Sequence, residues 1–262
     1  MGAADMDSQA SEAPPAVEVR GLTVGYGDTV VLEDINFSVA KGEVFAILGG
    51  SGCGKSTILK HIIGLHTPMS GDILLGGHSI VHCTEAEKLA LTLKFGVLYQ
   101  SGALFSSLSL AENIILPIKE FTGLSDCMAA ALARVKLSLV GLEGFEDFAP
   151  SEISGGMRKR AALARAMALD PGLLFFDEPS AGLDPISSAD LDRLILDLKK
   201  SVGATMVIVT HELESVFAVA DRVVLLNKES KGIVAEGDPR HLRDRSTDPR
   251  VLQFLNRSPS KG

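Results

Sequence analysis

The chain has 262 residues, with 25 Lys and Arg against 33 Asp and Glu, 46% hydrophobic residues and a formal net charge of -8. That length supports one large domain or two small ones with a full core, and needs no disulfide or metal staple. The composition excludes a disordered chain, and the acidic balance, 5% aromatics and absence of Trp argue against nucleic acid as the main partner.

Residues 1 to 14 are small and polar and reach a Pro14-Pro15 pair, so they are expected to form a flexible tail. Met1-Gly2-Ala3-Ala4-Asp5 has no basic region leading into an apolar one and does not read as a secretory signal. A membrane span needs about 20 mostly apolar residues. The longest uncharged stretch, Phe95 to Ala111, is broken by Gln100, Ser101, Ser106, Ser107 and Ser109, so no span is expected. Cys53, Cys83 and Cys127 show no paired spacing, which fits a reducing compartment. A mean hydropathy of +0.24 is high for a soluble chain, and such chains often sit against another surface.

From Val17 the pattern is β-rich: Val17–Arg20, Val30–Leu32 and Ile35–Val39, with Gly21, Gly25 and Gly27 expected as turns. Val44-Phe45-Ala46-Ile47-Leu48 is a continuous apolar run, the mark of a strand buried on both faces. A Gly-rich loop and a helix over about Ser56 to Ile63 follow. Residues 102 to 168 favour helices, among them Met128–Val135 and Arg160–Ala166. Buried-strand runs return at Leu173–Phe176, Met206–Val209 and Val223–Leu226. Between the first two, Leu191, Leu194, Ile195 and Leu198 share one helical face. Apolar strands alternating with helices predict a mostly parallel α/β core, with the central helical block inserted into it.

Gly49-Gly50-Ser51-Gly52-Cys53-Gly54-Lys55-Ser56-Thr57 fits the spacing of a phosphate-binding loop, and it lies between an expected strand and an expected helix. Glycines let the backbone curl so that its N–H groups face phosphate oxygens, and the helix N-terminus adds a positive dipole end. Lys55 supplies a mobile charge for the β and γ phosphates, and the Ser56 hydroxyl suits Mg²⁺. Cys53 fills a free position and reads as a spacer. The strand ending in Asp177 and Glu178 carries two carboxylates to the edge where open α/β sheets bind ligands. Neighbours on a strand point to opposite sides, so the two should differ in role. One can hold Mg²⁺ and the other orient and deprotonate a water.

Ser154-Gly155-Gly156-Met157, Ser180-Ala181-Gly182-Leu183-Asp184-Pro185 and Val209-Thr210-His211-Glu212 complete an ordered set. Over about Val17 to Gly237 the chain resembles an ABC-type ATPase cassette. The resemblance implies an α/β P-loop fold with a RecA-like parallel core, an antiparallel β subdomain and a helical subdomain over about 102–165. The cassette would span 15–240 and a short extension 241–262. It further implies ATP and Mg²⁺ as ligands, with Tyr26 stacking on adenine. Gln100 would sense Mg²⁺ and the attacking water, Asp177 would join Ser56 on the metal, Glu178 would be the general base, and His211 would touch the γ-phosphate. Ser154, Gly155 and Gly156 would bind the γ-phosphate of ATP held by a second copy, with Asp184 in the loop crossing the dimer interface. The signature begins a helix but has no lysine of its own, so alone it is half a phosphate site.

Two positions depart from the usual Leu-Ser-Gly-Gly-Gln signature: Ile153 and Met157, and Met157 cannot donate the amide hydrogen bonds of a glutamine. Tyr99–Phe105, the signature, Asp184-Pro185-Ile186 and Asp248–Leu255 resemble ATPase subunits of Mla/Mce-type lipid-trafficking transporters. That resemblance implies a membrane permease, an Mce-domain lipid-binding protein, a small regulatory subunit as a further candidate, and a place on the inner face of the cytoplasmic membrane. Some members embrace their partner with a C-terminal tail; here few residues follow Phe254. Two other readings stay open: the same cassette in an amino-acid or small-solute importer, and a non-transport ABC protein, which would carry two cassettes or a long coiled-coil insertion. His78, His82 and Cys83 lack a convincing further ligand and are not expected to bind metal. Arg158-Lys159-Arg160 is expected on the solvated and interface side of the signature helix, and His61 and His66 at the surface or a helix end.

Overall fold

The computed structural model describes residues 13–257. Residues 1–12, most of the expected tail, and 258–262 lie outside the described residues. In chain order the first elements are β1 (Val17–Tyr26), β2 (Thr29–Val39), β3 (Val44–Gly49), α1 (Lys55–Ile62), β4 (Ser70–Leu75), β5 (His78–Ser79), α2 (Glu85–Thr92) and β6 (Phe95–Leu98). The middle is helical: α3 (Leu110–Phe121), α4 (Asp126–Leu139), a 3₁₀ turn at Pro150–Glu152 and α5 (Gly155–Ala166). Then come β7 (Leu173–Asp177), α6 (Pro185–Val202), β8 (Thr205–Thr210), α7 (Leu213–Val219), β9 (Arg222–Asn227), β10 (Gly232–Gly237), α8 (Pro239–Arg245) and α9 (Pro249–Leu255).

The strands form two sheets. One is antiparallel, in the order β2-β1-β4-β5. The other runs β10-β9-β3-β8-β7-β6; its strands from β9 to β6 are parallel and β10 is antiparallel at the edge. The expected apolar runs therefore form neighbouring central strands, because strands covered on both faces can be apolar throughout. Alternation sorts their side chains. Phe45, Ile47, Leu173, Phe175, Val207 and Val209 face the layer that holds α1 and the antiparallel sheet. Leu174, Phe176, Met206 and Ile208 face α5, α6 and the helical block. Ala46 and Leu48 pack with α7 and α9 in a third cluster.

Several local expectations shift. Gly21 and Gly25 lie within β1, which continues to Tyr26 through register shifts; only Gly27 sits in the hairpin turn. Gly25 is required by close approach, since a Cβ there would meet the Thr29 carbonyl at 2.0 Å. The runs at 30–32 and 35–39 join in β2, where Asp34 takes a left-handed φ of 48°. The first helix begins at Lys55 and ends at Ile62. In α6, Leu191, Ile195 and Leu198 are buried and Leu194 packs beside them, as the periodicity requires. Helix starts follow side-chain capping: Thr84, Ser109, Ser125 and Ser154 each accept a hydrogen bond from the backbone N–H three residues on.

The helical block is anchored where α5 ends against β6. A Cβ on Gly96 would lie 2.0 Å from the Ala166 carbonyl oxygen, so only glycine permits the approach. Gly96→Ala is expected to destabilise the chain by about 1–3 kcal/mol through forced separation of α5 and β6. Urea unfolding checks this: an unchanged midpoint would contradict the close packing.

Candidate active site

The phosphate loop leaves β3 at Gly49 and enters α1 at Lys55. Its glycines are conformational requirements at two points. Gly54, which caps α1, has φ 103°, and a Cβ there would come 2.9 Å from Leu32. At Gly49, φ 156°, a Cβ would come 2.4 Å from Cys53 Sγ and 2.8 Å from the Leu226 carbonyl oxygen. Gly54 offers no side chain to α1, so the helix's first N–H groups remain available to an anion. Lys55 Nζ donates to the carbonyls of Gly49 (3.0 Å) and Gly50 (3.3 Å) and is buried. Gly50, Ser51 and Gly52 span the exposed bend of the loop, and Cys53 turns inward. Burial pushes the Cys53 thiol up, and Lys55 opposes this.

The sheet's alternation places the carboxylates. Asp177 continues the Leu173–Phe175 face under α1, and there Ser56 Oγ donates to its Oδ1 at 3.1 Å. Burial pushes the Asp177 carboxyl up and Glu178 adds to this; the Ser56 hydrogen bond, Lys60 and Lys159 oppose it. Two hard oxygen donors side by side fit Mg²⁺, which takes one or two protein oxygens and completes its shell with phosphate and water. Glu178 leaves the strand with φ 47°, a left-handed conformation that costs a non-glycine residue about 1–3 kcal/mol. Its N–H still bonds to the Val209 carbonyl at 2.8 Å. Its buried carboxylate accepts from Thr210 Oγ1 (3.1 Å) and lies 2.9 Å from His211 Nδ1 through both oxygens. A carboxylate only accepts, so Nδ1 carries the proton in that contact. Lys55 Nζ stands 3.7 Å from Glu178 Oε1. Lys55, Ser56, Asp177, Glu178 and His211 thus form one connected cluster.

Tyr26 is 52% exposed at the end of β1, its hydroxyl 3.2 Å from the Thr57 hydroxyl. The exposed His66 ring meets it edge-on at 6.1 Å, and His61 lies behind at 5.5 Å from His66. His61, expected at the surface or a helix end, is at the helix end, in the last turn of α1, and is buried there with its Nδ1 bonded to the Thr57 carbonyl at 2.8 Å. Gln100 follows β6 with its side chain exposed; its carbonyl, rather than its amide, is tied to the cluster.

That tie is Lys159, expected in solvent and found buried. Its Nζ donates to the carbonyls of Gln100 (2.5 Å) and Glu178 (3.4 Å). Burial pulls the ammonium down, and Asp177 and Glu178 oppose this. The charge run Arg158-Lys159-Arg160 gave no sign of this, since a helix distributes three successive residues over different faces. Thr210 was likewise legible only as a neighbour of His211.

Ser154, Gly155 and Gly156 open α5 at a different place. Ser154 caps the helix through the Met157 N–H at 3.2 Å. Asp184 caps α6: Oδ1 accepts from the N–H groups of Ile186 and Ser187, and the Ser187 hydroxyl, which holds its carboxyl low, donates to Oδ2 at 2.6 Å. Among the described residues no hydrogen bond or ion pair joins either group to the phosphate loop. One chain therefore presents a phosphate cradle with carboxylates and, apart from it, a half-buried N-terminal helix turn with Ser154 exposed.

The ABC transporter family profile matches residues 32–181. "Probable ribonucleotide transport ATP-binding protein mkl" of Mycobacterium leprae is 44% identical over 241 residues, 92% of this chain and 69% of that protein. "Intermembrane phospholipid transport system ATP-binding protein MlaF" of Haemophilus influenzae is 42% identical over 239 residues, 91% of this chain and 89% of that one. Among solved structures, the dimeric post-hydrolysis state of the ATP-binding cassette MJ0796 bound to ADP and Pi superposes with a TM-score of 0.76 and 27% identity, covering 85% of this chain and 98% of that one. With its phosphate loop, paired carboxylates and two-sheet architecture, the chain belongs to the ABC transporter family, as a P-loop ATPase cassette.

Proposed function

We propose that this cassette binds and hydrolyses ATP to drive phospholipid or other lipid movement between membranes. The observation that carries the lipid reading is the 42% identity to the MlaF protein across 89% of its length. The mkl relative, named for ribonucleotide transport, favours a second reading: a transporter of polar solutes.

Phosphoryl transfer demands positioning and charge stabilisation more than covalent chemistry. Lys55 and the free N–H groups of α1 bind the β and γ phosphates, and Tyr26 stacks on the adenine. Ser56 and Asp177, with Gln100, would hold Mg²⁺, which would neutralise charge on the phosphate oxygens. Glu178 orients the attacking water and takes its proton as the water oxygen bonds to the γ-phosphorus and ADP leaves. His211 and Thr210 hold that carboxylate in place, and His211 faces the γ-phosphate. Ser154, Gly155 and Gly156 of a second copy close the site, and Asp184 lies in the loop between copies; the dimeric MJ0796 cassette supports this pairing. The cassette body over 15–240, its helical part at 102–165 and the extension from 241 are the units of this reading.

No helix among the described residues is long and apolar enough to cross a membrane. We assign that task to an integral membrane permease, which holds this cassette on the inner face of the cytoplasmic membrane and is joined by an Mce-domain protein and a small regulatory subunit. A groove of about 560 Å³ between α2, β6 and α3 supports permease docking: Leu89, Phe105, Leu116 and Phe121 are exposed along it. It adjoins the Gln100–Ile118 segment, which would pass motion from the ATP site to the permease.

Glu178→Gln is expected to lower turnover by roughly 10²–10⁴-fold, the range of general-base catalysis. ATP binding should persist and the dimer should accumulate in the closed state, read by gel filtration with ATP. Near-normal turnover would remove Glu178 as the base. Leu116→Glu should abolish co-purification with the permease from gently solubilised membranes while ATP hydrolysis by the isolated chain continues. An Mce-domain protein in the wild-type complex supports lipid transport; a solute-binding protein in its place supports the polar-solute reading.

A further inference from the structure

Burying a lysine ammonium is costly unless hydrogen bonds replace its water. Lys159 is 7% exposed and belongs to the signature helix α5, five residues past its Ser154 cap. Its side chain crosses to the C-terminal ends of two adjacent parallel strands. There it donates to the Gln100 carbonyl, just beyond β6, and the Glu178 carbonyl, just beyond β7. No other residue among the hydrogen bonds described joins α5 to both.

The two carbonyls matter because of what they belong to. Gln100 carries the side chain assigned to metal and water, and Glu178 the one assigned as base. Glu178 also sits in a left-handed conformation that its surroundings must impose. Its carbonyl accepts from the Ala181 N–H at 3.1 Å as well as from Lys159, and its N–H bonds to Val209. The backbone of the base is therefore held from three directions, and one of these comes from the helix that begins with Ser154-Gly155-Gly156. The same helix ends against β6 at Gly96, so its C-terminal end and Lys159 both hold the segment that runs from β6 to Gln100. A flexible four-carbon stem ending in three donors is suited to bridging carbonyls on separate elements; an uncharged short side chain could not span them.

We propose that Lys159 is a positioning residue of the ATPase reaction: a cationic strut by which the signature helix sets Gln100 and Glu178 in its own subunit. A shift of α5 moves the strut and so moves the water-orienting groups. This links the helix that caps the partner's nucleotide to hydrolysis at the subunit's own site. The strut's hydrogen bonds reach neither the phosphate loop nor Tyr26, so it governs turnover rather than nucleotide affinity. The inference rests on the ATPase reading above.

The test compares the full-length wild-type chain with Lys159→Met and Lys159→Gln, using ATP turnover, binding of a fluorescent ATP analogue and thermal unfolding. Lys159→Met, which keeps the length but no donor, should lower kcat about 10- to 100-fold. The KM for ATP and the analogue's affinity should stay within about threefold of wild type. Lys159→Gln retains a donor for one carbonyl and should recover part of the lost turnover. A Lys159→Met kcat within about twofold of wild type overturns the proposal. So does a loss that appears equally in KM and affinity, or one that Lys159→Gln shares in full. If Lys159→Met does not fold, Lys159→Gln decides: reduced kcat at unchanged KM supports the strut, and unchanged kcat overturns it. The wild-type measurement separates the two claims, because absent turnover there refutes the ATPase reading, whereas normal turnover in both wild type and variants refutes only the strut.

Discussion

The structure turns on holding two carboxylates next to each other at the buried end of one strand. Asp177 and Glu178 repel each other and lose water, and burial pushes Asp177 up. The fold offsets this by separating them in direction and giving each its own partners. Asp177 stays in register with the strand and meets Ser56 of α1. Glu178 breaks from the strand with a left-handed backbone and meets Thr210, His211 and Lys55. The cost of the strained backbone and the buried charges is met by the sheet beneath, whose central strands are packed on both faces.

This arrangement explains why the cluster draws on so many parts of the chain. Lys55 and Ser56 come from the first turn of α1, which follows β3 and its loop, Glu178 from the turn after β7, and Thr210 and His211 from the end of β8. Because β3, β8 and β7 are adjacent and parallel, their C-terminal ends lie side by side. β6 adds Gln100 at the edge, and α5 reaches across with Lys159. The helical block is thus connected to the site by a buried cation as well as by apolar packing. The signature and Asp184 stand apart from this cluster, each used within the chain as a helix cap.

Much of this was legible in the residues. The apolar runs at 44–48, 173–176 and 206–209 announced central strands, and the glycines and Lys55 announced a phosphate loop, because both patterns are local in sequence. Other features had no local signal. Gly21 and Gly25 read as turns but belong to a bulged strand, since a bulge and a turn ask for the same glycine. Lys159 read as solvated because its burial depends on carbonyls 59 and 19 residues away. His61 does lie at a helix end, one of the two places read for it, but its ring is buried over the preceding turn of its own helix.

The sequence alone determined the local patterns: a phosphate-loop spacing between a strand and a helix, and two adjacent carboxylates at the end of an apolar strand, each specified by residue type and spacing within a few positions. It also determined which strands are central, since only strands covered on both faces can be apolar throughout. The tertiary structure decided which of these groups meet. Strand order brings Glu178 to His211 and Lys55, alternation along β7 turns Asp177 toward Ser56, and the packing of α5 buries Lys159 between Gln100 and Glu178. Those outcomes depend on contacts between residues distant in the chain, and no local pattern encodes the geometry of such contacts.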